Sequence, residues 1–246
     1  MRKFLFFIFI MFQSAFAQEV YATFDVVSEK NSELGLSISG VVGALHVEIG
    51  DKVKKGGVLL SLENSQEKQE LENAKVALEI ARKNAEHSQK TYDRYKAIAD
   101  VIDKEKFENY AYDRDITALN LKNAHNTLRL KEIQFSKTQL FAPYDLVVAK
   151  KMTELGNIVL GSQTKLLNVV SPNDIKLVLK FDEKYWQKIK IGQKFVYKVD
   201  GSDTTYEGKI SKVYPIVNAN TREMQAEVKT NNLMIGLFGN GMISVE

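Results

Sequence analysis

The stretch "VEIGDKVKKGG" (residues 47–57) is echoed by "TELGNIVLGSQ" (residues 153–163). A shift of 106 positions lays Val41-Val42 on Val147-Val148 and Glu48-Ile49-Gly50-Asp51 on Glu154-Leu155-Gly156-Asn157; Val53 falls on Val159 and Leu60 on Leu166. Both copies sit in runs that alternate apolar and polar residues between glycines, residues 34–62 and 140–170. That period belongs to short strands joined by tight turns. A few such strands cannot bury a core alone. The two halves are therefore expected to face each other in a small flattened β-sandwich, with Gly50-Asp51 and Gly156-Asn157 shaping equivalent turns.

Between the copies the texture changes. Gly and Pro are absent from residue 58 through residue 142, and Ala, Glu, Lys, Gln and Leu dominate, all good helix formers. Leu71, Ala74, Leu78, Ala81, Ala85, Ser88, Tyr92, Tyr95, Ala99 and Ile102 follow one another at spacings of 3 and 4, a heptad stripe sustained over four repeats. The return segment is less regular: Leu121, Leu128 and Phe135 are seven apart, with Ala111, Ala118 and Ala124 nearby, but Arg114 interrupts the stripe and leaves its register open. A break falls at Asp100-Val101-Ile102-Asp103, with Asp103 as N-cap of the second helix. Equal arms, 65–100 and 103–139, predict an antiparallel helical hairpin rather than one continuous rod. At 1.5 Å per residue each arm runs roughly 50 Å. Tyr92, Tyr95, Phe107, Tyr110 and Tyr112 crowd the tip. Packing of the last turns accounts for Tyr92 and Tyr95; the others are candidates either for packing or for a protein contact.

After the second half, residues 173–246 read as β, with turns at Asp200-Gly201 and Gly239-Asn240-Gly241. At the other end, Arg2 and Lys3 precede "FLFFIFIMF", and Ala15-Phe16-Ala17 follows. A basic start, a short apolar run and an A-x-A ending predict a secretory signal peptide cleaved after Ala17; the alternative is an uncleaved membrane anchor, for which the run is short of a span of about 20 residues.

Composition narrows the function. The chain has 246 residues, 44% of them hydrophobic, enough for one or two domains with their own cores. Its 34 basic and 31 acidic residues nearly balance, which gives no case for a nucleic-acid partner. With no cysteine there is no disulfide, thiol chemistry or lipid-modified N-terminal cysteine. His46, His87 and His125 are scattered and form no metal-ligand motif. Met224, Met234 and Met242 do not cluster, and no Ser-His-Asp set or phosphate loop is present. The reading is a non-enzyme with no cofactor and no metal site.

At this point a resemblance enters. "GVVGALHVEIGDKVKKGGVLLSLEN" and "FAPYDLVVAKKMTELGNIVLGSQTKLLNVV" resemble the two half-motifs of a biotinyl-lipoyl-like domain. A lipoyl domain split by a helical hairpin is the hallmark of bacterial membrane fusion proteins (haemolysin-D-like), the periplasmic adaptors of tripartite efflux pumps. "IKLVLKFDEKYWQKIKIGQKFVYKVDG" resembles that family's first barrel strands. "YEGKISKVYPIVNANTREMQAEVKTNN" resembles the segment carrying its Thr-Arg pair, here Thr221-Arg222. "LMIGLFGNGMISV" resembles its closing strand, with Asn240 in place of proline. The resemblance covers residues 34–246.

The fold class this implies is α+β: an elongated modular chain with a split lipoyl-type β-sandwich, an inserted antiparallel coiled-coil hairpin and a small β-barrel. The expected order is signal peptide 1–17, extended segment 18–33, lipoyl half 34–64, hairpin 65–139, second half 140–171 and barrel 172–246. The resemblance further implies a periplasmic adaptor that joins an inner-membrane transporter, of the resistance-nodulation-division type rather than the ABC type, to an outer-membrane channel. Self-association into a hexameric ring and export of drugs or other toxic compounds would go with it. The alternatives are a non-transport envelope scaffold and a component that presents metal or drug to a pump. Channel docking would fall to Arg94, Ile98 and Asp103 at the tip, where the family carries Arg, Leu and Ser. Leu146 stands where the family has the glycine of Ala-Pro-x-Asp-Gly, so a different turn geometry is expected there. A carrier role is excluded by position: the site of a modifiable lysine is taken by the helical insertion, and Lys68 lies inside the helix start. The membrane-proximal domain of longer adaptors, built from both termini, is not expected in residues 18–246.

Overall fold

The structure is a computed structural model that describes residues 18–245; the expected signal peptide lies outside the described residues. The described residues divide into two compact units, one made of Ser32–Val170 and the other of residues 18–31 together with 171–245. Among the described residues no helix is long and apolar enough to cross a membrane.

The first strand, β1 (Gln18–Ser28), belongs to the barrel. The sandwich and hairpin then follow as β2 (Asn31–Leu34), β3 (Ser39–Leu45), β4 (Lys52–Val53), β5 (Val58–Leu62), α1 (Ser65–Lys96), α2 (Lys104–Lys137), β6 (Gln139–Phe141), β7 (Leu146–Lys151), β8 (Ile158–Leu160) and β9 (Leu167–Val170). Two four-stranded sheets result, in the orders β2-β9-β7-β4 and β6-β5-β3-β8. Each sheet mixes strands from both halves. Gly40 of β3 pairs with Val159 of β8, Val53 of β4 with Leu146 of β7, and β5 with β6. Each half supplies one antiparallel pair of its own, β3-β5 and β7-β9, and the other half extends that pair to four strands, which is the physical content of the echo. The sandwich core holds Val42, Val47, Leu59, Leu60, Leu62, Leu146, Val148, Val159 and Leu166. Leu146, expected to alter the turn, is a buried residue opening β7, and its φ is not in the left-handed region. Its side chain fills the core, so no glycine is required there.

The barrel closes in the order β1-β10-β13-β12-β11-β14, with β10 (Ile175–Asp182), β11 (Lys194–Val199), β12 (Thr205–Asn218), β13 (Glu223–Thr230) and β14 (Phe238–Val245). Residues 18–28 of the expected extended segment supply its first strand. Val20, Ala22, Phe24 and Val26 alternate inward, a period-2 pattern that pairs β1 with both β10 and β14. The expected turn at Gly239-Asn240-Gly241 is also corrected. These residues lie in mid-strand on β14. A Cβ on Gly239 would come within 2.2 Å of the Lys198 carbonyl and 2.6 Å of the Phe24 ring; one on Gly241 would come within 2.3 Å of the Val196 carbonyl. Both glycines serve close approach rather than chain reversal. Chain reversal before β14 falls instead at Gly236, whose φ is +92°.

The hairpin forms as expected, with shorter arms. α1 ends at Lys96, capped by Ala97, so Ala99 and Ile102 of the heptad stripe lie beyond it in the turn. Ala74 and Ser88 are buried on the α1 seam, while no residue of α2 is fully buried. Two helices have no third layer to enclose them, so their seam is only half covered. The half-buried positions of α2 are Phe107, Tyr110, Ala111, Arg114, Thr117, Leu121, Ala124, Leu128, Lys131 and Phe135. Arg114 and Lys131 lie on this seam rather than interrupting it. Lys131 reaches Glu70 of α1 at 2.6 Å, and Glu70 is held below the usual carboxylate range by that hydrogen bond.

Candidate functional site

The hairpin tip is built by a cap and a ladder of rings. The Asp103 carboxylate accepts from the Lys106 N–H at 3.1 Å and closes the first turn of α2. On the α1 side, Ile98 N–H donates to the Tyr95 carbonyl at 3.1 Å, and Val101 N–H to the Ile98 carbonyl at 3.1 Å. Below this turn Tyr92 stacks on Phe107 with centroids 5.5 Å apart, and Tyr95 stacks on Tyr110 at 4.1 Å. The Arg114 guanidinium lies 4.1 Å from the Tyr92 centroid and 2.7 Å from Asp115. Hydrogen bonding with Tyr95 pushes the Tyr110 phenol above its ordinary value. Four of the five tip aromatics thus pack between the helices, and Tyr112 stays exposed.

Of the three tip residues singled out in the sequence, Asp103 is a cap, a job serine performs about equally well. Arg94 is exposed, with a 3.2 Å hydrogen bond to the Thr91 hydroxyl. Ile98 is 49% exposed. Val101, 83% exposed at the turn itself, was missed; its only signal was an apolar residue set between two aspartates. Arg94, Ile98 and Val101 each stand exposed near the turn, one cation and two aliphatic chains close to the stacked rings in sequence, a composition that suits contact with another protein rather than chemistry.

The two sandwich turns are related as the echo requires. Gly50 and Gly156 have φ of +94° and +84°. Asp51 N–H donates to the Glu48 carbonyl at 3.2 Å, and Asn157 N–H to that of Glu154 at 3.1 Å. The Asp51 carboxylate adds a 2.8 Å bond from the Glu48 N–H. Lys151 bridges the turns, 3.0 Å from Glu48 and 3.5 Å from Glu154. Its hydrogen bond to Glu48 and the charge of Glu154 raise the Lys151 ammonium above the ordinary lysine value. Ile49 and Leu155, again equivalent positions, are both exposed beside them.

In the barrel, Thr221 and Arg222 lie in the β12–β13 turn. Asn218 Oδ1 accepts from the Thr221 N–H at 3.3 Å. Arg222 adopts φ of 56°, donates its N–H to the Asn218 carbonyl at 2.8 Å and accepts at its own carbonyl from the Glu183 N–H at 3.0 Å. The pair therefore shapes a turn and ties it to the segment after β10. The tip, sandwich-turn and barrel residues stand in three separate places. The His46 ring lies 2.9 Å from the Ser61 hydroxyl. Among the described residues no group of three or more His, Cys, Asp or Glu could hold a metal ion.

No protein-family model matches the chain. Over 217 residues it is 24% identical to the cobalt-zinc-cadmium resistance protein CzcB of Cupriavidus metallidurans, covering 83% of this chain and 40% of that one. It is 23% identical over 217 residues to the multidrug resistance protein MdtA of Escherichia coli O45:K1, covering 84% of this chain and 52% of that one. The chain thus spans about half, or less, of the length of these relatives. Its structure resembles that of MacA from Actinobacillus actinomycetemcomitans with a TM-score of 0.71 at 21% identity, over 94% of this chain and 79% of that one. It also resembles the membrane fusion protein Spr0693 from Streptococcus pneumoniae R6, with a TM-score of 0.64 at 14% identity over 92% and 98% of the two chains.

Proposed function

We propose that this chain, which has the fold of the membrane fusion proteins and a sequence similar to efflux-associated resistance proteins, works as a periplasmic adaptor between an inner-membrane transporter and an outer-membrane channel. The observation that carries this reading is a helical hairpin inserted between two halves of a lipoyl-type sandwich and followed by a barrel, with Arg94, Ile98 and Val101 exposed at its tip. In this reading the adaptor performs no catalysis and carries no cofactor; it holds two membrane proteins in register. Arg94, Ile98 and Val101 dock on the channel, while Asp103 holds the turn that presents them.

The barrel, with Thr221 and Arg222 at one turn, rests on the transporter, of the resistance-nodulation-division type rather than the ABC type. Ile49 and Leu155, exposed beside Gly50-Asp51 and Gly156-Asn157, support self-association into a hexameric ring. Export through a signal peptide cleaved after Ala17 places the chain in the periplasm, and the cargo is a drug or another toxic compound.

Photo-crosslinkers at Ile98 and Val101, and separately at Thr221, test the reading in intact cells. Capture of an outer-membrane channel from the tip and of an inner-membrane transporter from the barrel is expected. Capture of neither, with unchanged susceptibility to drugs and metals on deletion of the gene, overturns it in favour of a non-transport scaffold.

A further inference from the structure

The helix α2 carries a second stripe, on the face turned away from α1. Ile116, Leu119, Asn123, Asn126, Leu130 and Ile133 follow one another at spacings of 3, 4, 3, 4 and 3, and all six are exposed. Leu119 is 61% and Leu130 53% exposed. Spacings of 3 and 4 over nearly three heptads are the signature of a seam for another helix, not for a flat surface. The order of residues is a palindrome: Ile, Leu, Asn, Asn, Leu, Ile. Run against itself in the opposite direction, the stripe sets Ile116 on Ile133, Leu119 on Leu130 and Asn123 on Asn126. Every layer then matches in polarity and size. The outer face of α1 offers no such match, because roughly level with the two asparagines it exposes Val76 and Ile80.

We propose that the outer face of α2 is a self-association site at which two copies of this chain pair antiparallel about a twofold axis between their Asn123–Asn126 layers. Such an isologous contact uses the same patch on both copies. The paired asparagines can hydrogen-bond across the seam and fix its register at a cost in stability, since a buried polar layer selects alignment more than it adds affinity. Contact along about 26 Å of helix sits at the low end of specific interfaces, so the pair exchanges with monomer. Lys122 and Arg129 flank the asparagine layers and approach one another across the pair, which makes association strengthen with salt. The proposal does not depend on the adaptor reading. Two hairpins paired in this way point their tips in opposite directions, so the pair is a state outside any ring in which all tips share one direction.

The chain has no cysteine, which makes the test clean. Leu119→Cys and Leu130→Cys are made singly in the full chain, purified and mixed under mild oxidation. An antiparallel pair gives disulfide-linked heterodimer in the mixture and little homodimer from either variant alone. A parallel pair gives homodimer from each variant alone, and that result overturns the proposal. Sedimentation of the cysteine-free chain from micromolar to millimolar concentration gives the dissociation constant. L119D should weaken it at least tenfold, while N123L should tighten it. Both positions are exposed, and unchanged circular dichroism shows that the hairpin has kept its fold. A chain that stays monomeric throughout, or one whose stripe crosslinks in cells only to a different protein, refutes self-pairing.

Discussion

Gly50 donates its backbone N–H to the carbonyl of Val148 at 2.8 Å, and the equivalent bond in the other half runs from Gly156 to Val42 at 2.9 Å. The return bonds obey the same rule: Val148 N–H reaches the Asp51 carbonyl at 3.0 Å, and Val42 N–H that of Asn157 at 2.9 Å. Each turn is pinned by the strand of the opposite half. The duplicated phrase is therefore a reciprocal clamp, closed on itself by four backbone bonds.

Removing either glycine should loosen that clamp. A Cβ on Gly50 or Gly156 meets nothing within 4 Å, so the cost of alanine is the left-handed backbone alone, about 1–2 kcal/mol. Gly50→Ala and Gly156→Ala are each expected to lower the unfolding free energy of the sandwich by that amount in urea titrations. Asparagine, which tolerates this region better, should cost less at both positions. Equal stability of Gly50→Ala and the parent chain would show that the turn has another conformation.

The barrel offers the opposite kind of glycine. Gly241 has no special backbone conformation, but an added Cβ would strike the Val196 carbonyl and the Phe195 ring. Neither backbone nor a ring packed against Phe24 and Tyr197 can retreat easily. Gly241→Ala should cost about 2–3 kcal/mol through overpacking, seen as an earlier thermal transition of the barrel. Asn240→Ala, between the two glycines and exposed, should stay within about 0.5 kcal/mol of the parent.

Residue by residue, what could be read in the sequence depended on whether one pattern had one cause. Gly50 and Gly156 were legible because the echo gave two witnesses to each turn. Asp103 was legible because a cap is local chemistry. The register of α2 was not, because the helix bears an inner seam through Leu121, Leu128 and Phe135 and an outer one through Leu119, Leu130 and Ile133. Two apolar stripes on opposite faces cancel in any single period. Arg114 seemed to break the pattern because its place on the seam rests on Tyr92, a partner 22 residues away across the hairpin. Gly239 and Gly241 imitate a turn since a tight turn and a crowded barrel interior both select glycine. The place of residues 18–28 in the barrel is not legible, because their alternation is far in sequence from the strands β10 and β14 that it completes. Of the tip surface, Val101 gave no periodic signal at all.

At the tip, Asp103→Ala should remove the cap of α2 and cost about 1 kcal/mol, while Asp103→Ser should restore most of it. Hydrogen exchange of the Lys106 amide, the direct recipient of the carboxylate bond, is the local readout. It should accelerate in the alanine variant and recover in the serine variant. If channel crosslinking from Ile98 falls only in the alanine variant, Asp103 contributes to docking by holding the turn. Loss in the serine variant as well would assign its carboxylate a direct contact.

The last prediction concerns pH and rests on Glu227, a buried carboxylate on β13. Lys176 on β10 and the Tyr214 hydroxyl on β12 both hydrogen-bond to the same oxygen. Burial pushes the carboxyl up, but the bonds from Lys176 and Tyr214, together with the charges of Lys176 and Lys212, pull harder, and it ends below its ordinary value of 4.5. A carboxyl depressed in the folded state stabilises the fold above its unfolded value and loses that contribution as pH falls through the folded value. The Lys176 ammonium is raised by its hydrogen bond to Glu227, so its share is present below the ordinary lysine range and disappears as pH climbs through the folded value. The barrel should therefore be evenly stable from about pH 5 to pH 9 and weaken on either side. Many carboxylates contribute to the acid arm, so the informative quantity is the difference between the parent chain and Glu227→Gln in urea unfolding. That difference should be constant between about pH 5 and pH 9 and shrink below about pH 4. A difference that stays constant down to pH 3 would show that the folded barrel does not hold the Glu227 carboxyl below its unfolded value.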